Sequence, residues 1–104
     1  MSTSHIPVYY DNHLVGSITL AEFMDQPRYN GMSVKDLMSL NKPELARAYL
    51  LFTNKDLDFH AYAMRDLAMN QMLWYILIHF CGEIQWEKDA IWEIRQTYLT
   101  PRKK

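Results

Sequence analysis

Met72-Leu73-Trp74-Tyr75-Ile76-Leu77-Ile78-His79-Phe80-Cys81 is the most apolar stretch of this chain, and its only polar residue is His79. An amphipathic helix buries one stripe and shows its other faces to water. A helix over 72–81 has almost nothing polar to show, so its surroundings must enclose it. The rest of the chain can do that, or a second copy of it. The stretch is far short of the roughly 20 apolar residues that a membrane helix needs. Upstream, at about 100° of rotation per residue, Phe59, Ala63 and Leu67 share a stripe with Trp74, Ile78 and Cys81. His60, Arg65 and Asp66 take the other faces. The spacing therefore predicts one long helix over 57–81, capped at Asn54 or Asp56 and stopped by Gly82. Asn70 falls inside the apolar stripe, where a buried amide must find a hydrogen bond. It is expected to bond a nearby backbone group; the alternative is a register-setting polar group at a helix–helix interface.

A last helix is expected from Gln85 to Leu99, ended by Thr100-Pro101. Trp86, Ala90, Ile94 and Tyr98 make its core stripe, with Ile91 at the edge. Trp92 and Leu99 fall on a different face, about 140° away. Trp92 either packs under an N-terminal hairpin or stands exposed, and an exposed Trp is an anchor for a partner.

The N-terminal part is built differently. Val8, Tyr9 and Tyr10 are strand formers, Asp11-Asn12 is a turn pair, and Leu14, Val15 and Ile18 resume the extended pattern, with Gly16 marking a bulge. A β-hairpin over 6–18 follows, and two strands alone are marginal without support from helices. Thr19-Leu20-Ala21-Glu22 is a capping box that opens a short helix to about Gln26. Pro27 and Tyr29-Asn30-Gly31 end it. Ser33-Val34-Lys35-Asp36 opens a second helix, to about Leu40. Asn41-Lys42-Pro43-Glu44 opens a third, which carries Leu45, Ala48, Tyr49 and Phe52 at helical spacing to about Thr53. There is no internal repeat, no low-complexity segment and no linker long enough to divide the chain. The expected fold class is mainly α, α+β at most: a compact bundle of about five helices with a short N-terminal β-hairpin. It is read as a single domain over 1–104, with the hairpin at 6–18, the helical bundle at 20–99 and a basic tail at 100–104.

Composition narrows the function classes. The 104 residues are 49% apolar and 22% charged, values of a chain that buries a core. The formal net charge of −1 sets up no global field toward nucleic acid or anionic lipid. The one basic cluster, Arg102-Lys103-Lys104, reads as a solvated tail. Cys81 is the single cysteine, so no intramolecular disulfide forms and a reducing compartment fits. Met1-Ser2-Thr3-Ser4-His5 has no basic and then apolar signal segment. A cytoplasmic location, in the cell of origin or a host cell, is the expectation.

The residues that carry chemistry are scattered. Asp56 and His60 share a helix face, but two ligands do not make a metal site, and His79 and Cys81 point apart on a helix. Cys81 ends the most apolar stretch, where a thiol is inert packing. Ser17, Ser33 and Ser39 lie in no nucleophile motif. Glu83 and Glu87 read as a solvated helix face. Glycine occurs only at 16, 31 and 82, too sparsely for a phosphate-binding loop. No catalytic residue, metal ligand or cofactor site is expected, and the chain reads as a non-enzyme.

Residues 33–52 have the rhythm of a helix-turn-helix. A DNA-binding regulator of that kind would present Lys42, Arg47 and Arg28 to the duplex. Against it, Glu44 stands where phosphate contacts are made, and Leu50, Leu51 and Phe52 make the far end of the second helix apolar. The reading that fits better is a non-enzymatic protein–protein interaction module. It would dock on a larger protein as a small stoichiometric inhibitor or adaptor, in the manner of phage anti-defence or immunity proteins. Seven methionines and thirteen per cent aromatics suit adaptable binding surfaces. The partner-binding residues expected are Trp92 and Leu99 as apolar anchors, Arg95 at the rim, and Tyr9 and Tyr10 on the hairpin. A structural homodimer joined through the 72–81 end is the third reading.

Overall fold

The structure, a computed structural model, describes residues 5–99. The basic tail expected at 100–104 lies outside the described residues. The fold is mainly α, with a two-stranded antiparallel hairpin at its N-terminal end. The hairpin joins β1 (His5–Tyr10) to β2 (His13–Thr19), and α1 (Leu20–Asp25) follows directly. Then come α2 (Val34–Met38), α3 (Lys42–Phe52), α4 (Phe59–Asp66), α5 (Met69–His79) and α6 (Gln85–Ile94). A π turn over Arg95–Leu99 continues α6. There are thus six α-helices among the described residues rather than about five.

The extra helix arises because the segment expected as one helix over 57–81 is broken. Leu67 (φ −105°, ψ 136°) and Ala68 (φ −79°, ψ 159°) are extended. Leu67 leaves the helical path and is buried. Ala68 has no capping side chain, but its N–H donates to Gln71 Oε1 at 2.8 Å, which supplies half of a capping box for α5. The break resets the helical phase. The buried face of α5 is Met72, Leu73, Ile76 and Leu77; Trp74 and Cys81 are half-buried and Ile78 is exposed.

The last helix departs from expectation in a related way. Trp86, Ala90, Ile91 and Ile94 are buried as the spacing predicts. A π turn advances less per residue than an α-helix, because its bonds run from i to i+5. Over five residues that lag brings Leu99 round toward the side of buried Ile91, and Leu99 is 6% exposed while Tyr98 is 49% exposed. Asn70 Nδ2 donates to the Leu99 carbonyl at 2.6 Å and ties this turn to α5. That is the satisfied structural amide expected of Asn70.

Start signals in the first half are all realised. Thr19 with Glu22, Ser33 with Asp36, and Asn41 with Glu44 each form a reciprocal capping box. Asp11 (φ 51°) and Asn12 (φ 65°) make the two-residue hairpin turn with both residues left-handed, the form that suits strand twist. Val8 pairs with Gly16 and Tyr9 with Leu14, so Val15 is the extra residue of a bulge. Gly16 (φ 155°) takes a backbone conformation that L side chains rarely adopt.

One core runs through the molecule. Phe23, Val34, Leu37, Leu45, Met72, Ile76 and Ile94 are among its buried residues, and Ile6 joins it from the base of the hairpin. α5 packs on α3 and on the π turn, while α6 packs on β1 and α1. Arg28 and Glu87 fasten the second group. Their side chains form an ion pair, and the Arg28 guanidinium lies 4.8 Å from the Phe23 ring centroid and 5.2 Å from that of Trp86. Glu87 Oε1 also accepts from the Gly82 N–H at 3.0 Å.

Candidate interaction surface

Trp92 stands on the outer face of α6 and is 49% exposed. With His5, Ile6, Pro7, Asp89 and Glu93 it lines a cleft of about 340 Å³ beside the start of β1. It therefore does not pack beneath the hairpin; it flanks its base. The Arg95 guanidinium lies over two rings, 4.9 Å from the Trp74 centroid and 5.1 Å from that of Trp92. Such stacking holds both partners in place before any other molecule arrives. Tyr9 and Tyr10 are exposed at the turn end of β1 and do not line this cleft. Leu99, expected as a second anchor beside Trp92, is in the core for the phase reason given above.

The residues of the DNA-binding reading are not brought together. α2, residues 39–41 and α3 do follow one another as helix, turn and helix. Arg28, however, is held by Glu87, Phe23 and Trp86, with its Nε donating to Gln26 Oε1 at 2.6 Å. Lys42 is half-buried in the first turn of α3, and Arg47 is exposed one face further on.

Arg47 belongs instead to a groove that sequence periodicity did not single out. Leu51 is 72% exposed and Leu57 is 79% exposed. Between them, with Arg47, Lys55 and His60, runs a depression of about 720 Å³. A second depression of about 420 Å³ adjoins it and shares Arg47, Leu51 and His60; Met32, Leu40 and Phe52 extend its apolar floor. The basic groups Arg47, Lys55 and His60 rim it, and Glu44 is its one carboxylate. Leu51 occurs in sequence as part of an apolar run, and Leu57 as the first residue of an expected helix. Neither pattern distinguishes an exposed leucine from a buried one.

The apolar helix α5 is not fully enclosed. Tyr75, Ile78 and His79, three and four residues apart, make one exposed face. That face forms one side of a second cleft, of about 560 Å³, whose other walls are Tyr49 and Thr53 of the α3 end, Lys55, and Phe59 and Tyr62 of α4. Tyr49 and Tyr75 stack with centroids 5.8 Å apart, and Phe59 and Tyr62 meet edge to face at 5.9 Å. Burial raises the Tyr49 phenol above its ordinary value, and the neighbouring Tyr75 and Tyr62 hydroxyls add to this.

Among the described residues no group of three or more His, Cys, Asp or Glu could hold a metal ion, and no helix is long and apolar enough to cross a membrane. Cys81 is half-buried, and burial followed by the Glu87 carboxylate pushes its thiol up, away from the nucleophilic thiolate. Comparison with protein-family models, with curated proteins and with solved structures finds no match for this chain.

Proposed function

We propose that this protein is a non-enzymatic interaction module that docks on a larger protein through the groove between α3 and α4. The observation that carries the reading is the pair Leu51 and Leu57, the two most exposed large apolar side chains of the described residues, flanking a groove with a basic rim. Exposed apolar surface of this kind is costly to leave in water and marks interaction sites. Charge complementarity favours an acidic, amphipathic segment of the partner, with leucine-sized anchors between Leu51 and Leu57 and carboxylates near Arg47 and His60. Blocking or bridging the larger protein would be the mode of action, in the cytoplasm of the cell of origin or a host. Trp92 with Arg95 would form a second contact patch on the other side of the molecule.

The test compares wild type with Leu51→Glu and Leu57→Glu. Both positions are exposed, so thermal stability should hold within about 0.5 kcal/mol. Capture of a saturable partner by the immobilised wild type should fall at least tenfold in the variants, and Tyr10→Ser at the distal hairpin should leave it unchanged. Equal capture by wild type and both Glu variants would remove the groove as the docking site.

A further inference from the structure

The cleft on the open face of α5 already contains a cation. Lys55 Nζ lies 5.4 Å from the Phe59 ring centroid and 6.0 Å from that of Tyr49. Its backbone is fixed by the end of α3. Asn54 takes the left-handed conformation (φ 63°), the Asn54 N–H bonds the Leu51 carbonyl at 3.4 Å, and the Lys55 N–H bonds the Leu50 carbonyl at 2.9 Å. This is a Schellman termination, and it launches Lys55 toward the rings. The residue is exposed.

Four aromatic residues, Tyr49, Phe59, Tyr62 and Tyr75, converge there from three helices. Aromatic faces carry negative quadrupole charge and attract cations, most strongly those that shed water easily. A lysine ammonium is compact and strongly hydrated, so it is a weak occupant of an aromatic site. A methylated ammonium holds the same charge behind apolar methyls, which suits both the rings and the Ile78 and Leu67 walls. The residues lining the cleft include no carboxylate that would instead select a hydrated metal ion. The charged or titratable groups on its walls are Lys55, His79 and the tyrosines.

We propose that this cleft is a binding site for a trimethylammonium group, and that Lys55 is its built-in competitor. The aromatic site lies on a different face of α4 from the leucine groove; Lys55 lines both, but none of the rings lines the groove. The group can come from a small molecule such as choline or from a trimethylated lysine side chain in a protein.

Titration of the whole chain with choline chloride and, separately, with a short trimethyllysine peptide distinguishes those sources. Sodium chloride and the unmethylated peptide are the controls, and the aromatic proton resonances of Tyr75 and Phe59 are the readout. Saturable shifts with either probe, absent in the controls, are expected. Lys55→Ala should tighten binding by about two- to fivefold, the range of one exposed cation–π contact. Tyr75→Leu should abolish it; Phe59→Leu, at an exposed position, does the same job should Tyr75→Leu fail to fold. Shifts with the peptide alone would assign the site to a modified protein, and shifts with both probes to the head group itself. No saturable shift with either probe in Lys55→Ala overturns the site. Weaker binding in Lys55→Ala than in wild type overturns the role of Lys55 as competitor.

Discussion

Glu87 shows how much one side chain can decide here. It is buried in α6, yet each of its oxygens has a partner, Arg28 on one side and the Gly82 N–H on the other. A buried carboxylate is tolerable only when paired in this way. From sequence it looked like a solvated helix face, because its partners lie 59 residues before it and in the loop just ahead. Glu87→Ala should cost about 2 kcal/mol in denaturant unfolding, since it strands Arg28 between two rings and leaves the Gly82 amide unpaired. Glu87→Gln should cost less, because it keeps an acceptor for Gly82. Glu22 offers a contrast at an exposed site. The Thr19 backbone N–H, followed by the Thr19 hydroxyl, holds its carboxyl below the ordinary 4.5. A carboxylate depressed by folding stabilises the fold above pH 4.5, and that contribution disappears as pH falls through the folded value. The stability gap between wild type and Glu22→Gln should therefore narrow as pH is lowered from about 7 to about 3. A gap constant over that range would show that the cap does not act through the charge.

Elements were legible where their ends are written in local chemistry. Three capping boxes and an Asp11-Asn12 turn stand where the residues put them, because each is a contact within four positions, and the bulge falls beside Gly16. Two interior events were not legible. The break at Leu67–Ala68 has no Pro, Gly or side-chain cap before it; only Gln71 reaching back marks it, and a lone Gln is no signal. The π turn after Ile94 is likewise decided by what Leu99 and Asn70 gain in the fold, not by the residues of the turn. Both events change helical phase, and each moved a site residue: Leu99 went into the core and Ile78 came out of it. The π turn makes a sharp prediction. Leu99→Ala should cost about 2–4 kcal/mol, as a buried leucine does, and Tyr98→Ala should cost less than about 1 kcal/mol. Uninterrupted α-helix through 99 requires the opposite order. Asn70→Ala should cost about 1 kcal/mol by freeing the Leu99 carbonyl.

For the molecule as a whole, the decisive fact is its flatness. The principal extents are 45 × 35 × 18 Å and the radius of gyration is 14.7 Å, against roughly 13 Å for a compact chain of this length. A slab that thin cannot wrap α5 on every side, so the enclosure demanded by its composition is incomplete and Tyr75, Ile78 and His79 face the cleft. The residues of the groove and of the cleft come from several elements, α3, the following loop, α4 and α5 among them, so no periodicity within one element marks them. Flatness also divides stability unevenly. The base of the hairpin is held by Ile6, with Val8 and Ile18 packed against the core, but Tyr9 to Val15 are exposed on a pair of strands with no third strand beside them among the described residues. Two unsupported strands are marginal, whereas α3, α5 and α6 share buried side chains across the whole slab. Native-state hydrogen exchange should therefore separate two classes. Bonded amides between Tyr9 and Val15 should exchange by local opening, at rates insensitive to low urea. Buried amides of α5 should exchange only through global unfolding, with the full urea dependence. Equal protection in both regions would mean that the arm is covered in solution, and the first place to look for its cover would be a second copy pairing along the exposed edge of β2.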